Sequence, residues 1–284
     1  MANESGPAEW TVRAPGGPSL FGRSWLPASS ARAAVLIVHG LAEHGGRYAA
    51  TAAALGEAGF AVHAADYRGH GRSEGIRVHV DSVDEYVADV RAAMDEVRGR
   101  HPGLPVFLLG HSQGGLVVLK LVLDDPAGLA GVVVTSPLLA VHPRSRPSAF
   151  MRAGAAVLRR LAPRLPLPTR IDVSVLSRDP AVGAAYARDP LVSSKASAGW
   201  LHAIERAQRE VRTSAASLRL PALVMASGGD LLVDPEATRR FALEAPPGRV
   251  ELAWWDGFYH EMLNDFGRER VVERIVTWLR TLSG

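Results

Sequence analysis

The segment Gly110-His111-Ser112-Gln113-Gly114, with a further Gly115 behind it, constrains this chain more than any other. It stands between a short apolar run at residues 106–109 and a longer apolar, helix-forming run at residues 113–123. At a strand-to-helix junction a G-x-S-x-G pentapeptide lets the backbone turn sharply and lift its serine above the edge of a sheet. The helix that follows points its free N-terminal N–H groups at the same place and favours negative charge there. Pentapeptides of this form also arise by chance, so the weight lies in the flanking strand and helix. Such a junction belongs to a sheet of mostly parallel strands, and the rest of the chain should therefore alternate strand and helix.

It does so on both sides of the elbow. Residues 20–25 and 33–39 read as strands, residues 49–58 as a helix closed by Gly59, and residues 60–65 as a buried strand ending in Asp66. A glycine-rich, charged loop covers residues 67–75, and residues 83–98 place Val83, Val87, Val90, Met94 and Val97 on one helical stripe that Pro102 and Pro105 stop. Residues 131–135 form another β-branched strand. The alternation then breaks: residues 137–216 hold helical segments, prolines and arginines with no buried strand, and read as a helical cap inserted into a core made of residues 1–136 and 217–284. Strands resume at residues 222–226 and 249–254, and residues 271–282 close the chain as a helix. Right-handed crossovers between parallel strands make this an α/β protein, a mostly parallel sheet flanked by helices.

A length of 284 residues suits one such domain with its insertion, and 47% hydrophobic against 21% charged residues is the balance of a folded globular chain. The N-terminal residues show no basic start followed by an apolar run, so a secretory signal is not expected, and no apolar stretch approaches the roughly 18 residues of a membrane span. The absence of cysteine excludes disulfides, thiolate metal sites and a cysteine nucleophile. A net charge of +3, carried mostly by arginine, comes without a nucleic-acid-binding motif, and no nucleic-acid partner is expected.

Serine at its ordinary pKa is a weak nucleophile and needs an adjacent base, which in a sheet of this type comes later in the chain, in the order Ser, acid, His. Gly228-Gly229-Asp230 follows the strand at 222–226, and Tyr259-His260-Glu261 follows the strand at 249–254. Each sits just past the C-terminal end of a strand, where open α/β sheets bind ligands. Ser112, Asp230 and His260 are therefore the expected nucleophile, orienting acid and general base. Asp234 and Asp256 stand close enough in sequence to take the acid's place. The other histidines precede the nucleophile or fall in the insertion, and His39 reads as a structural hydrogen bonder. Two backbone N–H groups should face the developing oxyanion: that of Gln113, after the nucleophile, and that of Leu41, in a loop where Gly40 permits close approach. The histidines lack metal-ligand spacing, and neither a metal nor an organic cofactor is implied.

With these residues in hand, the chain resembles the monoacylglycerol lipase family, in the lysophospholipase-like branch of the α/β-hydrolases. The segments that carry the resemblance are His39-Gly40-Leu41-Ala42-Glu43-His44 with Arg47-Tyr48, Asp66-Tyr67-Arg68-Gly69-His70-Gly71-Arg72-Ser73, and Gly110 to Gly114. Ser177-Arg178-Asp179-Pro180, Tyr186, Asp189-Pro190-Leu191 and Tyr259-His260-Glu261 follow later. The resemblance implies the α/β-hydrolase fold, a Ser112, Asp230 and His260 triad, Leu41 and Gln113 as oxyanion donors, and a helical cap over an acyl tunnel. It implies monoacylglycerols and related small esters as substrates, cleaved through an acyl-enzyme, with lysophospholipids or short-chain esters as the alternative. Family members often carry a glutamate in the cap just before Tyr186, near the glycerol head; here Ala181-Val182 occupy that stretch.

An aspartate at the elbow would mark a dehalogenase or epoxide hydrolase, and Ser112 argues against both. An aminopeptidase needs carboxylates for a substrate ammonium, whereas residues 141–171 hold seven arginines, at 144, 146, 152, 159, 160, 164 and 170, and no acid. Acyl transfer or perhydrolysis would use the same triad with another acceptor, and a binding module would have lost it. Within the cap, Phe150, Gly154, Leu158 and Leu161, widened by Met151 and Ala155, form a stripe at helical spacing, with Arg152, Arg159 and Arg160 mainly off it. Phe150, Met151, Leu158 and Tyr186 are the candidate substrate contacts. A helix of this kind would cover the tunnel and would also suit peripheral contact with anionic lipid surfaces by a cytoplasmic protein.

Overall fold

The computed structural model describes residues 6–146, 148, 154, 158, 160–169 and 171–284. Eight strands form one sheet: β1 (Ala8–Arg13), β2 (Ser19–Trp25), β3 (Ala33–Val38), β4 (Phe60–Asp66), β5 (Val106–His111), β6 (Gly131–Thr135), and then, beyond two short strands of the insertion, β9 (Ala222–Ser227) and β10 (Val250–Trp255). Their order is β1-β2-β4-β3-β5-β6-β9-β10. From β4 to β10 neighbours run parallel, while β2 pairs antiparallel with β4 and β1 with β2. This is the α/β-hydrolase arrangement expected from the alternation of apolar runs.

The runs are continuous because both faces of the sheet are covered, yet each strand still alternates. Ala34, Leu36 and Val38 of β3, Val106 and Leu108 of β5, and Ala222 and Val224 of β9 face one core, with α2 (Val83–Arg100) and α3 (Gln113–Asp124). Ala33, Val35 and Ile37, Phe107 and Leu109, and Leu223 and Met225 face the other, with α1 (Ala49–Glu57) and the C-terminal helix (Arg268–Ser283). Strand β1 is absent from the sequence reading because only Trp10 of its six residues is buried, the mark of an edge strand without alternation.

Between β6 and β9 the chain leaves the sheet. It holds the antiparallel pair β7 (Pro166–Pro168) and β8 (Lys195–Ser197), which the sequence reading did not include, and the helices α4 (Pro180–Arg188) and α5 (Ala198–Thr213). Helix α5 lays Ala203, Ile204, Ala207 and Val211 into the first core, beside α3. Phe150, Met151, Arg152, Ala155 and Arg159 lie outside the described residues. Leu158 is helical and half-buried. Leu161, expected on the inward stripe, is instead 78% exposed: it is the last helical residue before Pro163 ends the segment, and its side chain faces solvent. After β9 stands a further helix not among the sequence expectations, α6 (Pro235–Glu244); α7 is the C-terminal helix named above. Among the described residues no helix is long and apolar enough to cross a membrane.

Candidate active site

At the C-terminal end of β5 the chain turns into α3 through Ser112, whose φ of 53° and ψ of −116° put a residue with a Cβ where few are found. Holding such a conformation costs about 1–3 kcal/mol and must be repaid by the surroundings. The Ser112 N–H donates to Thr135 O (3.0 Å), and its carbonyl accepts from Leu116 N and Leu138 N. The glycines have steric reasons: a Cβ at 110 would lie 2.7 Å from Gly114 O, one at 114 would lie 2.0 Å from Val38 O, and one at 115 would meet Pro137.

Ser112 Oγ lies 3.0 Å from His260 Nε2, and His260 Nδ1 lies 2.7 Å from Asp230 Oδ2. An ionised carboxylate can only accept, so Nδ1 carries the proton and Nε2 is left to accept from the serine hydroxyl. Asp230 Oδ1 accepts from Leu232 N (2.8 Å) and Val233 N (2.9 Å), which fixes the acid's orientation. Burial alone would raise the Asp230 carboxyl, but the facing imidazole and the two N–H groups outweigh it and hold it below its ordinary value. Burial would likewise lower His260, and the Asp230 charge outweighs it and raises the imidazole above its ordinary value. The loops that bring the pair together are tied: Ser227 Oγ donates to Tyr259 O (2.6 Å), and Gly229 N to Phe258 O (3.0 Å).

The other two acids are engaged elsewhere. Asp234 caps α6 by accepting from Glu236 N (3.1 Å), with Pro235 at the first helical position, and Asp256 accepts from Trp254 Nε1 (2.8 Å). His111 packs its ring 4.9 Å from that of His260, and burial pushes it down to about 3, so at neutral pH it adds no charge beside that imidazole.

Gly40 lies against Ser112: a Cβ there would stand 3.4 Å from Ser112 Cβ. Leu41 is half-buried beside it, and Gln113 opens α3 with one of the N–H groups that a helix leaves unpaired. His39 is fully buried and donates from Nδ1 to Gly40 O (2.9 Å), the structural role expected of it.

Beside His260 lies a buried ion cluster that spacing alone does not reveal. Arg47 holds Glu261 through two bonds (2.9 and 2.8 Å) and also pairs with Glu43. Glu43 accepts from Gly40 N (2.5 Å) and Tyr48 Oη (2.7 Å). Burial would raise Glu43, but Arg47 and the other neighbours pull it down to about 2. Tyr186 of α4 lays its ring over the Arg47 guanidinium at 4.8 Å, and its buried hydroxyl has no hydrogen-bond partner among the described residues. These residues stood in the segments that carry the family resemblance, which was the only signal for them.

The family model described as "Serine aminopeptidase, S33" matches residues 29–266. The monoacylglycerol lipase of Mycolicibacterium smegmatis is 35% identical over 93% of this chain and 94% of its own length. The human monoglyceride lipase is 35% identical over 86% and 80%. The crystal structure of Paleococcus ferrophilus monoacylglycerol lipase superposes with a TM-score of 0.83 at 34% identity, covering 92% of this chain and 98% of the other. The chain belongs to the serine aminopeptidase S33 family of α/β-hydrolases and, within it, to the monoacylglycerol lipase group.

Proposed function

We propose that the protein is a serine ester hydrolase that cleaves monoacylglycerols and related carboxylic esters through an acyl-enzyme intermediate. The observation that carries the reading is the Ser112, His260 and Asp230 chain, with contacts of 3.0 and 2.7 Å at the ends of three strands. In this reading His260 takes the Ser112 proton as Oγ attacks the ester carbonyl, and Asp230 stabilises the imidazolium that forms. The N–H groups of Leu41 and Gln113 hold the oxyanion. His260 then gives its proton to the departing alcohol, and a water activated by the same histidine releases the acid.

Residues 137–216 serve as the cap, and Tyr186 with Leu158 faces the substrate. The names of the relatives support a monoacylglycerol over a bulkier glyceride. Aminopeptidase activity is less well supported: the two glutamates beside His260, Glu43 and Glu261, are both paired with Arg47 rather than free to hold an ammonium. In this reading the protein is cytoplasmic and touches lipid surfaces through the cap; exposed Leu161 and Leu165 beside exposed Arg160 and Arg164 support the lipid contact.

A hydrolysis panel over head group and chain length, with fluorophosphonate labelling of Ser112, tests the proposal. Labelling and faster turnover of monooctanoylglycerol than of trioctanoin are expected. A protein that neither labels nor cleaves any ester overturns it, and preference for trioctanoin overturns the substrate class.

A further inference from the structure

We infer that Tyr67, Gln113 and Trp200 are positioning residues that hold the Leu41 N–H in register from the cap helix α5, through a directed chain of three hydrogen bonds. The inference rests on Leu41 and Gln113 being the oxyanion donors.

The Leu41 N–H belongs to the same planar peptide as the Gly40 carbonyl, and because that peptide is trans the two point in opposite directions. Whatever fixes Gly40 O therefore aims Leu41 N–H. Gly40 O accepts from Tyr67 Oη (3.1 Å) and from His39 Nδ1 (2.9 Å). The preceding peptide is fixed as well, with His39 O accepting from Tyr67 Oη (2.8 Å) and Gly40 N donating to Glu43 (2.5 Å).

Tyr67 has one hydroxyl proton, and the loop benefits only if that proton points at its carbonyls. Gln113 Nε2 donates to Tyr67 Oη at 2.9 Å, so the oxygen is already an acceptor on that side and its proton is turned to the loop. The Gln113 amide could flip and reverse this polarity, but its Oε1 accepts from Trp200 Nε1 at 2.7 Å. An indole N–H can only donate, so Trp200 sets the direction of every bond after it. Tyr67, Gln113 and Trp200 are all buried, where such bonds are not exchanged for water.

Trp200 is itself held to the core. It is the third residue of α5, and its N–H donates to Ser197 Oγ (3.0 Å). Ser197 N donates to Val78 O (3.0 Å), and Ser197 Oγ bonds His79 Nδ1 (2.8 Å). Gln113 thus acts twice, its backbone facing the oxyanion and its side chain linking the other donor's peptide to the cap.

The test uses Gln113→Met, which keeps length and loses both bonds, Trp200→Phe, which keeps a ring and loses the donor, and the isosteric Gln113→Glu. Each is assayed for kcat and KM on a soluble short-chain aryl ester, for inhibition by a boronic acid that forms a tetrahedral adduct on serine, and for Tm. Gln113→Met and Trp200→Phe should lower kcat about tenfold, a fraction of the roughly 10²–10³ lost when an oxyanion donor is removed outright. KM should stay within about twofold, and boronate affinity should fall in step with kcat. Trp200→Phe should add nothing in the Gln113→Met background. The ionised carboxylate of Gln113→Glu draws the Tyr67 proton away from the loop, so its kcat relative to wild type should recover on acidification, as the protonated acid regains a donor. Variants with wild-type kcat, additive losses, boronate affinity that does not follow kcat, or a flat Gln113→Glu ratio across pH would overturn the relay. Wild-type protein without esterase activity would instead sink the underlying reading.

Discussion

Two regions meet at Ser112, and they hold their groups by different means. The elbow and the loops after β9 and β10 are fixed by backbone groups of their own turns and of the neighbouring strands: Ser112 by its own helix and by β6, Asp230 by Leu232 and Val233, the turns by glycines. The segment between β6 and β9 is held by polar bonds that span the chain. His44 pairs with Asp189 at 2.8 Å, Ser193 N donates to Ala42 O, Trp200 donates to Gln113, and Arg178 pairs with Asp265. The first region can be read from the sequence, because each of its groups stands just past the end of an apolar run that marks a strand. The second leaves no local pattern, since each partner is ordinary in its own segment.

The comparison breaks hardest at the triad. Ser112→Ala and His260→Ala should each lower kcat by about 10³ to 10⁶, because the three groups act as a unit and only binding and oxyanion stabilisation remain. Retention of more than a hundredth of wild-type kcat in both would remove the chemistry from this region.

Next comes the pair of aspartates. Asp230→Asn should cost about 10⁴ in kcat, as it does where an asparagine imposes the wrong imidazole tautomer. Asp234→Asn should leave kcat within about twofold, because asparagine caps a helix nearly as well. The reverse result would move the acid to Asp234. The titration gives a second reading: Asp230 raises His260, and only neutral His260 can act as base. The acid limb of kcat/KM in the wild type should therefore lie above the ordinary histidine value and move to lower pH in Asp230→Asn.

Much of this was legible in the sequence, and the reasons for the remainder are physical. Strands β3 to β6 and β9 announced themselves as apolar runs because both faces of the sheet are covered. The three candidate groups stood just past strand ends. Asp230 is the expected acid, with Asp234 and Asp256 as alternatives, and Asp234-Pro235 is itself a helix-start signal that marks Asp234 as a cap and announces α6. The exposed face of β1 gave no alternation. The contact between Gln113 and Trp200 joins residues 87 apart, and periodicity carries no information at that range.

A smaller effect, on stability rather than rate, should come from the ion cluster that joins the two regions. Arg47→Met leaves two buried carboxylates without their cation and should cost about 3–5 kcal/mol in denaturant unfolding at neutral pH. Glu43 sharpens this. Its folded value of about 2 lies below the ordinary 4.5, so its contribution is complete above about pH 4.5 and is lost as pH falls toward 2. Stability of Glu43→Gln should be flatter than wild type across that window, and a parallel fall in both would mean that the Glu43 charge contributes nothing.

The smallest effect concerns the outer face of the proposed cap. Leu161 is 78% and Leu165 41% exposed, and Arg160 and Arg164 beside them are exposed too. Exposed leucines flanked by cations suit an interface between water and anionic headgroups, where each arginine adds roughly 1 kcal/mol, about fivefold in partitioning. Replacing Arg160 and Arg164 with glutamine should therefore weaken sedimentation with vesicles containing phosphatidylglycerol by about 25-fold at low salt. Added salt should shrink the difference, because at molar ionic strength screening confines such attraction to about 3 Å. Turnover of a soluble short-chain ester should not change, since neither side chain has a bond to the triad or its loops. Leu161→Ser should weaken binding to neutral and anionic vesicles alike, because its loss is apolar and charge-independent. Equal sedimentation of wild type on both kinds of vesicle would make these arginines ordinary solvated residues and confine the cap to covering the site.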